Sequence, residues 1–303
     1  MRMPGRAALA LLPLFIALAV PAASQDVLKK VVGQVTFTVD AGSAYPGGLF
    51  VARLQSRRAI GAAYATFEGR RAPFYSSPRG PRALVPIPVT SSSGDATLGV
   101  EILARRGRQR IPLEVEIAPR DYPPRTVVIP EGKRPLLKQP SVTRDGRELL
   151  GLLRTETPAA QGLGPLRPPI TIVPGLGFGS AQTYVGGSPV EMMLDAIHGE
   201  YHRGLDYDVP VGTVVMAPAA GSVLFAGPLA LSGQTLVLDH GQGVISVLFH
   251  LYRIDVRTGD PVEARATVGL SGETGLATSP QLQWRVYIHG VAVDPRALEK
   301  GTE

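Results

Sequence analysis

Between residues 213 and 286 the chain is cut into short apolar runs by segments rich in Gly, Pro and Asp. The runs cover 213–216, 221–226, 234–239, 244–251, 268–270 and 282–286, too short for ordinary helices and right for strands. Only 189–197 reads as helical in this part of the chain. The first third repeats the pattern: 35–39 alternates apolar and polar residues, and 48–54, 83–89, 96–103 and 113–117 follow at sandwich-like spacing. With 35 Gly and 28 Pro in 303 residues, turn-rich β structure is favoured over helix bundles.

These runs predict a mainly β chain: an Ig-like β-sandwich over 25–120, then an antiparallel β domain over 170–303. Between them, 121–169 reads as a linker opened by Asp121-Tyr122-Pro123-Pro124. It should hold one short helix between 141 and 155, with Ser141 or Thr143 as N-cap and Leu149, Leu150, Leu152 and Leu153 on one side. The chain is long enough for two domains, each with its own core.

The first 24 residues read as a removable leader. Arg2 and Arg6 precede an apolar stretch over 7–20, and Pro21-Ala22-Ala23-Ser24 supplies small residues for cleavage. The stretch is short for a bilayer span and is broken by Pro13. The reading is an exported protein of the periplasm or envelope, or one secreted outright, with no transmembrane helix after processing. There is no cysteine, hence no lipidation site of the usual bacterial kind and no disulfide, and zinc could bind only through His, Asp or Glu. A net charge of +6 suits an anionic wall or envelope surface, while the scattered Arg pairs do not form a nucleic-acid module.

One constellation carries chemistry. His202 and Asp206, four apart in His202-Arg203-Gly204-Leu205-Asp206, can reach one metal ion. Further on come Asp239-His240-Gly241, His250-Leu251, the turn 269–275, Ser279-Pro280-Gln281-Leu282-Gln283-Trp284 and Gly290-Val291-Ala292-Val293-Asp294-Pro295. In that order, over nearly all of 170–298, these elements resemble the lysostaphin-type (LytM-like) zinc metalloendopeptidases, which cut peptide cross-links in peptidoglycan.

The resemblance implies that the family's metal is held by the His and Asp of H-x-G-x-D and by the second His of H-x-H. The first His of H-x-H and the His of the H-L pair act on the metal-bound water and the developing oxyanion. On this chain His202 and Asp206 match two ligands, and His250 matches one catalytic imidazole. Gln281 and Gln283 stand at the two H-x-H positions, Leu248 where a cleft Tyr is usual, and Ser279 where Gly precedes Pro280. An amide oxygen is a weak zinc ligand, and Gln281 exchanges no proton near neutral pH. Zinc is therefore expected to be weak or absent.

Of the remaining histidines, His289 is too far along its strand from Gln283, His240 reads as structural, and His198 could swing toward His202 only if its segment is helical. His250 is either a remnant of catalysis or a satisfied cleft histidine, and His202 with Asp206 either holds a metal or forms a local hydrogen bond. Three functions follow. One is a non-catalytic envelope protein that binds peptidoglycan or regulates a cell-wall hydrolase. The second is an active zinc endopeptidase with an unusual third ligand. The third is an adaptor in which the sandwich binds and the second domain is a spacer.

Overall fold

The computed structural model describes residues 27–57, 60–104, 107–161, 164–175, 177–187 and 200–302. The expected leader, the expected helix over 189–197 and His198 lie outside the described residues.

Eight strands occupy the first part: β1 (Val27–Val32), β2 (Val35–Asp40), β3 (Leu49–Ser56), β4 (Ala63–Phe67), β5 (Arg70–Pro73), β6 (Arg82–Pro86), β7 (Gly94–Ala104) and β8 (Gly107–Ile117). They form two four-stranded antiparallel sheets, ordered β1-β2-β3-β6 and β5-β4-β7-β8. Alternation decides what is buried. In β8 Ile111, Leu113, Val115 and Ile117 point inward while Pro112, Glu114 and Glu116 face out. Phe37, Phe50 and Leu54 of one sheet meet Phe67, Leu98 and Val100 of the other, the core of a β-sandwich.

The second part begins with β9 (Arg125–Val128) and α1 (Ser141–Leu152), then β10 (Gln182–Val185) and β11 (Leu205–Asp208). It continues through β12 (Val214–Met216), β13 (Gly221–Leu229), β14 (Gly233–Asp239), β15 (Val244–Leu251), β16 (Arg253–Ile254), β17 (Pro261–Val262), β18 (Thr267–Leu270), β19 (Gln281–Ile288) and β20 (Val291–Val293). The main sheet runs β11-β19-β15-β14-β13-β17, with β20 beside β19, and a small sheet runs β12-β18-β16. β15 and β19, at its centre, are buried along their whole length. Leu282, Trp284 and Val286 fill one side of the main sheet, while Val247, Phe249 and Tyr287 lie on the other.

Three features depart from the sequence reading. The sandwich keeps its own core, but the two parts also share one: β3 is buried on both faces, with Leu49 and Val51 joining Leu84 of β6 and residues of the main sheet in one cluster. A strand packed between two layers needs apolar residues at successive positions, and Leu49-Phe50-Val51-Ala52 supplies them. Second, α1 forms where expected but is capped by neither Ser141 nor Thr143. Pro140 holds the N-cap position without a side-chain hydrogen bond. Val142, Leu149 and Leu153 pack against Val237, Ile245 and Val247, and Asp145 accepts a hydrogen bond from the Ala230 amide at 2.9 Å. Third, the linker carries a strand that the sequence reading did not include. β9 pairs in parallel with β10, and Lys133 Nζ donates to the carbonyls of Glu273 and Gly275 at 2.6 and 2.8 Å.

Candidate functional site

The site forms where β11, β19 and the end of β15 meet the β9–β10 pair. β11 pairs with β19 so that Asp206 lies opposite Gln283 and Asp208 opposite Gln281. That approach depends on Gly204. A Cβ there would come within 2.5 Å of the Trp284 carbonyl oxygen, so no larger residue seats the strand this closely. His202 is anchored by its own backbone, its N–H donating to the Ser180 carbonyl and its carbonyl accepting from Gly179.

His202, Asp206, His250, Gln281, Gln283 and Arg285 are all buried, none more than 8% exposed. They line a cavity of about 70 Å³ together with Arg125, Val127 and Ile129 of the linker and Gln182 and Tyr184 of β10. That space holds a few water molecules. The linker thus forms a wall of the site.

The polar groups make two hydrogen-bonded runs that meet at Asp206 and His202. Gln283 Nε2 donates to Asp206 Oδ1 at 2.8 Å, and Arg285 Nε donates to Gln283 Oε1 at 2.9 Å. On the other side Gln182 Nε2 lies 3.4 Å from His202 Nδ1, and the Tyr184 hydroxyl donates to Gln182 Oε1 at 2.8 Å. His202 Nε2 is 3.3 Å from Asp206 Oδ1 but off the line of a hydrogen bond, so this buried nitrogen has no hydrogen-bond partner. The local His202–Asp206 hydrogen bond considered from sequence is therefore absent, and Gln283 makes the bond to Asp206 instead.

His250 Nδ1 is 2.9 Å from the Thr274 carbonyl, which can only accept, so the proton sits on Nδ1 and the lone pair on Nε2. Gln281 lines the same cavity from the first residue of β19. Leu248 does not face it. Leu248 packs with Trp284 in the core cluster, and Phe249, opposite Gln283, lies on the side of the site. The reason is local: His250 has a left-handed φ of 64°, which breaks the two-residue alternation and turns its ring back toward the cavity. His240 bonds the Ala220 carbonyl and Ser246 at 2.8 and 2.9 Å, and His289 pairs with Glu156 at 3.1 Å, both away from the cavity. Arg285, Gln182 and Tyr184 are site residues that the sequence reading did not name.

Burial pushes the His250 imidazole down to about 4, against the raising pull of Thr274 and Asp206. Burial also lowers His240, against the Ala220 hydrogen bond and Asp239. At Asp206 burial pulls the carboxyl upward, but the His202 imidazole beside it, the Gln283 bond and His250 outweigh it and leave the carboxyl below its usual range. A histidine that stays neutral in the fold binds fewer protons than it does unfolded. Stability should therefore be flat above pH 6.5 and fall as pH drops from 6.5 toward 4, with His250 alone contributing about 3 kcal/mol of the loss by pH 4. The Asp206 contribution is lost only below about pH 4. Thermal melts from pH 8 to 4.5 check this, and a protein that gains stability on acidification over that range contradicts it.

Residues 200–295 match peptidase family M23. This stretch is M23-like. It is 38% identical over 99 residues to a metalloprotease of Haemophilus influenzae and 35% identical over 98 residues to the peptidoglycan DD-endopeptidase ShyC of Vibrio cholerae. Each match takes in 32% of this chain, but only 21% and 23% of the relatives, so the shared stretch is under a quarter of their length. A crystal structure from Pseudomonas aeruginosa, assigned to peptidase M23, superposes with a TM-score of 0.62 at 27% identity, covering 86% of this chain and 96% of that one. The likeness in fold thus extends past the M23 domain into the sandwich, and the lysostaphin-type resemblance read from the motifs holds.

The M23 domain implies zinc, and the donors here do not fit it. His202 Nε2, buried and without a hydrogen bond beside a carboxylate, is what a metal ligand would look like. Against it, the third position offers Asp206 an amide N–H, and the amide oxygen is taken by a guanidinium. Among the described residues no group of three or more His, Asp or Glu side chains is placed to hold a metal ion.

Proposed function

We propose that this chain is an exported cell-envelope protein whose M23 domain binds peptidoglycan or a cell-wall hydrolase without cutting peptide bonds. The observation that carries the reading is the Gln283 amide donating to Asp206, where a third metal ligand would have to accept the ion. Gln281 adds to it: a carboxamide neither takes nor gives a proton near neutral pH, so a general base or acid worth about 10²–10⁴-fold is missing. Export is supported by the leader-like residues 1–24. Among the described residues no helix is long and apolar enough to cross a membrane. The relatives' description as peptidoglycan endopeptidases supports a wall ligand.

The competing reading, an active zinc endopeptidase with an unusual third ligand, is favoured by the orphaned His202 Nε2. Zinc titration into chelator-stripped mature protein separates the two. The expected result is no site-specific uptake in either the wild type or His202→Ala, together with co-sedimentation of the wild type with purified sacculi or capture of a wall hydrolase. One equivalent bound at sub-micromolar level and lost in His202→Ala would establish the enzyme reading. A folded protein that binds neither zinc, sacculi nor a hydrolase would leave the adaptor reading, in which the sandwich does the binding.

A further inference from the structure

Arg285 lies two residues past Gln283 on β19, on the same side of the strand, with its guanidinium 4.9 Å from the centre of the Phe249 ring. It is buried and always charged. We infer that Arg285 is the residue that excludes divalent cations from this pocket, acting as a built-in cation in place of a bound one. The inference rests on the non-catalytic reading above and assigns the cause of metal loss within the same site.

The argument is one of donors and acceptors. Arg285 Nε donates to Gln283 Oε1, so the Gln283 carboxamide must turn its N–H groups toward Asp206 Oδ1. Offering the amide oxygen to a metal would require turning the group over, which sets its NH₂ against the Arg285 Nε–H, donor against donor. The guanidinium therefore locks the amide in the orientation that repels a cation, and its own charge adds to the repulsion at short range in a buried site.

The same logic applies to a restored histidine. A neutral imidazole at 283 has one N–H and one lone pair. Beside Arg285 the lone pair is drawn to the guanidinium and the N–H faces Asp206, leaving no lone pair for a metal. Metal-binding histidines need an acceptor behind them, and such outer partners are worth about 10–100-fold in affinity. Arg285 is the opposite kind of partner.

The test is zinc titration, by calorimetry on chelator-stripped protein, of the wild type, Gln283→His and the double variant Gln283→His/Arg285→Gln. Glutamine at 285 removes the charge and supplies an oxygen that can accept from the imidazole. The expected result is no tight site in the wild type or in Gln283→His. One equivalent should bind to the double variant, about 100-fold tighter than to Gln283→His. Equal affinity of the single and double variants, or no gain in the double, overturns the inference. Tight zinc binding by the wild type overturns the inference together with the non-catalytic reading it rests on, whereas the two outcomes above overturn the inference alone. Circular dichroism checks folding of each variant. Should Gln283→His fail to fold, Arg285→Gln alone carries the test, because Gln283 can then turn its oxygen inward. Zinc affinity above the wild type supports the inference, and none above it overturns it.

Discussion

Replacing Trp284 with Ala should lower stability by about 3–5 kcal/mol, the loss expected for truncating a large side chain in a packed core. Trp284 is fully buried and sits at the middle of β19, opposite Leu205 of β11 and Leu248 of β15. Its indole N–H donates to Ser246 Oγ at 3.3 Å, so the substitution also removes a buried hydrogen bond. A cavity there cannot collapse easily, because strands pair with β19 on both sides. The same residue separates Gln283 from Arg285, so loosening the strand should also relax the polar chain above the core. Thermal or urea unfolding measures the loss, and a change under 1 kcal/mol would mean that the strand repacks around the gap.

Arg82→Ala should cost about 3 kcal/mol or more, by a different route. Arg82 is buried at the contact between the sandwich and the M23 domain. Its Nη1 donates to Thr302 Oγ1 and O at 2.9 and 3.1 Å, and its Nη2 donates to Gln242 Oε1 at 2.7 Å. Removing the cation takes the Arg82 donor from Gln242 Oε1 and Thr302 Oγ1, while Thr302 O keeps Arg53, and hydrogen bonds to charged groups are worth about 1.5–3 kcal/mol each. A double-mutant cycle with Gln242→Ala should return a coupling of about 1–3 kcal/mol, since the two side chains touch. Additive losses would show that the Gln242 bond contributes nothing measurable and that Arg82 acts through Thr302 and packing. Limited proteolysis of Arg82→Ala should open cleavage between the two parts before either is degraded.

Much of the strand pattern can be read directly from the residues. The run 244–251 coincides with β15 and 35–39 with all but the last residue of β2, because alternation and Gly or Asp boundaries speak locally. β11 escaped notice because Leu205–Asp208 holds two carboxylates in four residues, and only its partner β19 makes it a strand. The β9–β10 pair is parallel and joins distant segments, which no local pattern announces. At the site, His202, Asp206, Gln281 and Gln283 come together as the motifs require. Leu248, where the family has a cleft Tyr, packs into the core instead, and nothing in the residues foretells the left-handed turn at His250. Arg285 was within reach: a two-residue period from Gln283 puts it on the same face, and a buried Arg beside an Asp demands a hydrogen-bonded explanation.

The packing of β3 between two layers has an evolutionary side. Leu49, Val51 and Leu84 stand well outside the stretch that matches the M23 family, yet they pack in the same cluster as Trp284 and Leu205. Packing demands on the M23-like domain therefore reach into the sandwich. An exchange at Val51 should be felt by the strand that carries Gln283 and Arg285, so a substitution in one half is expected to constrain what the other half tolerates.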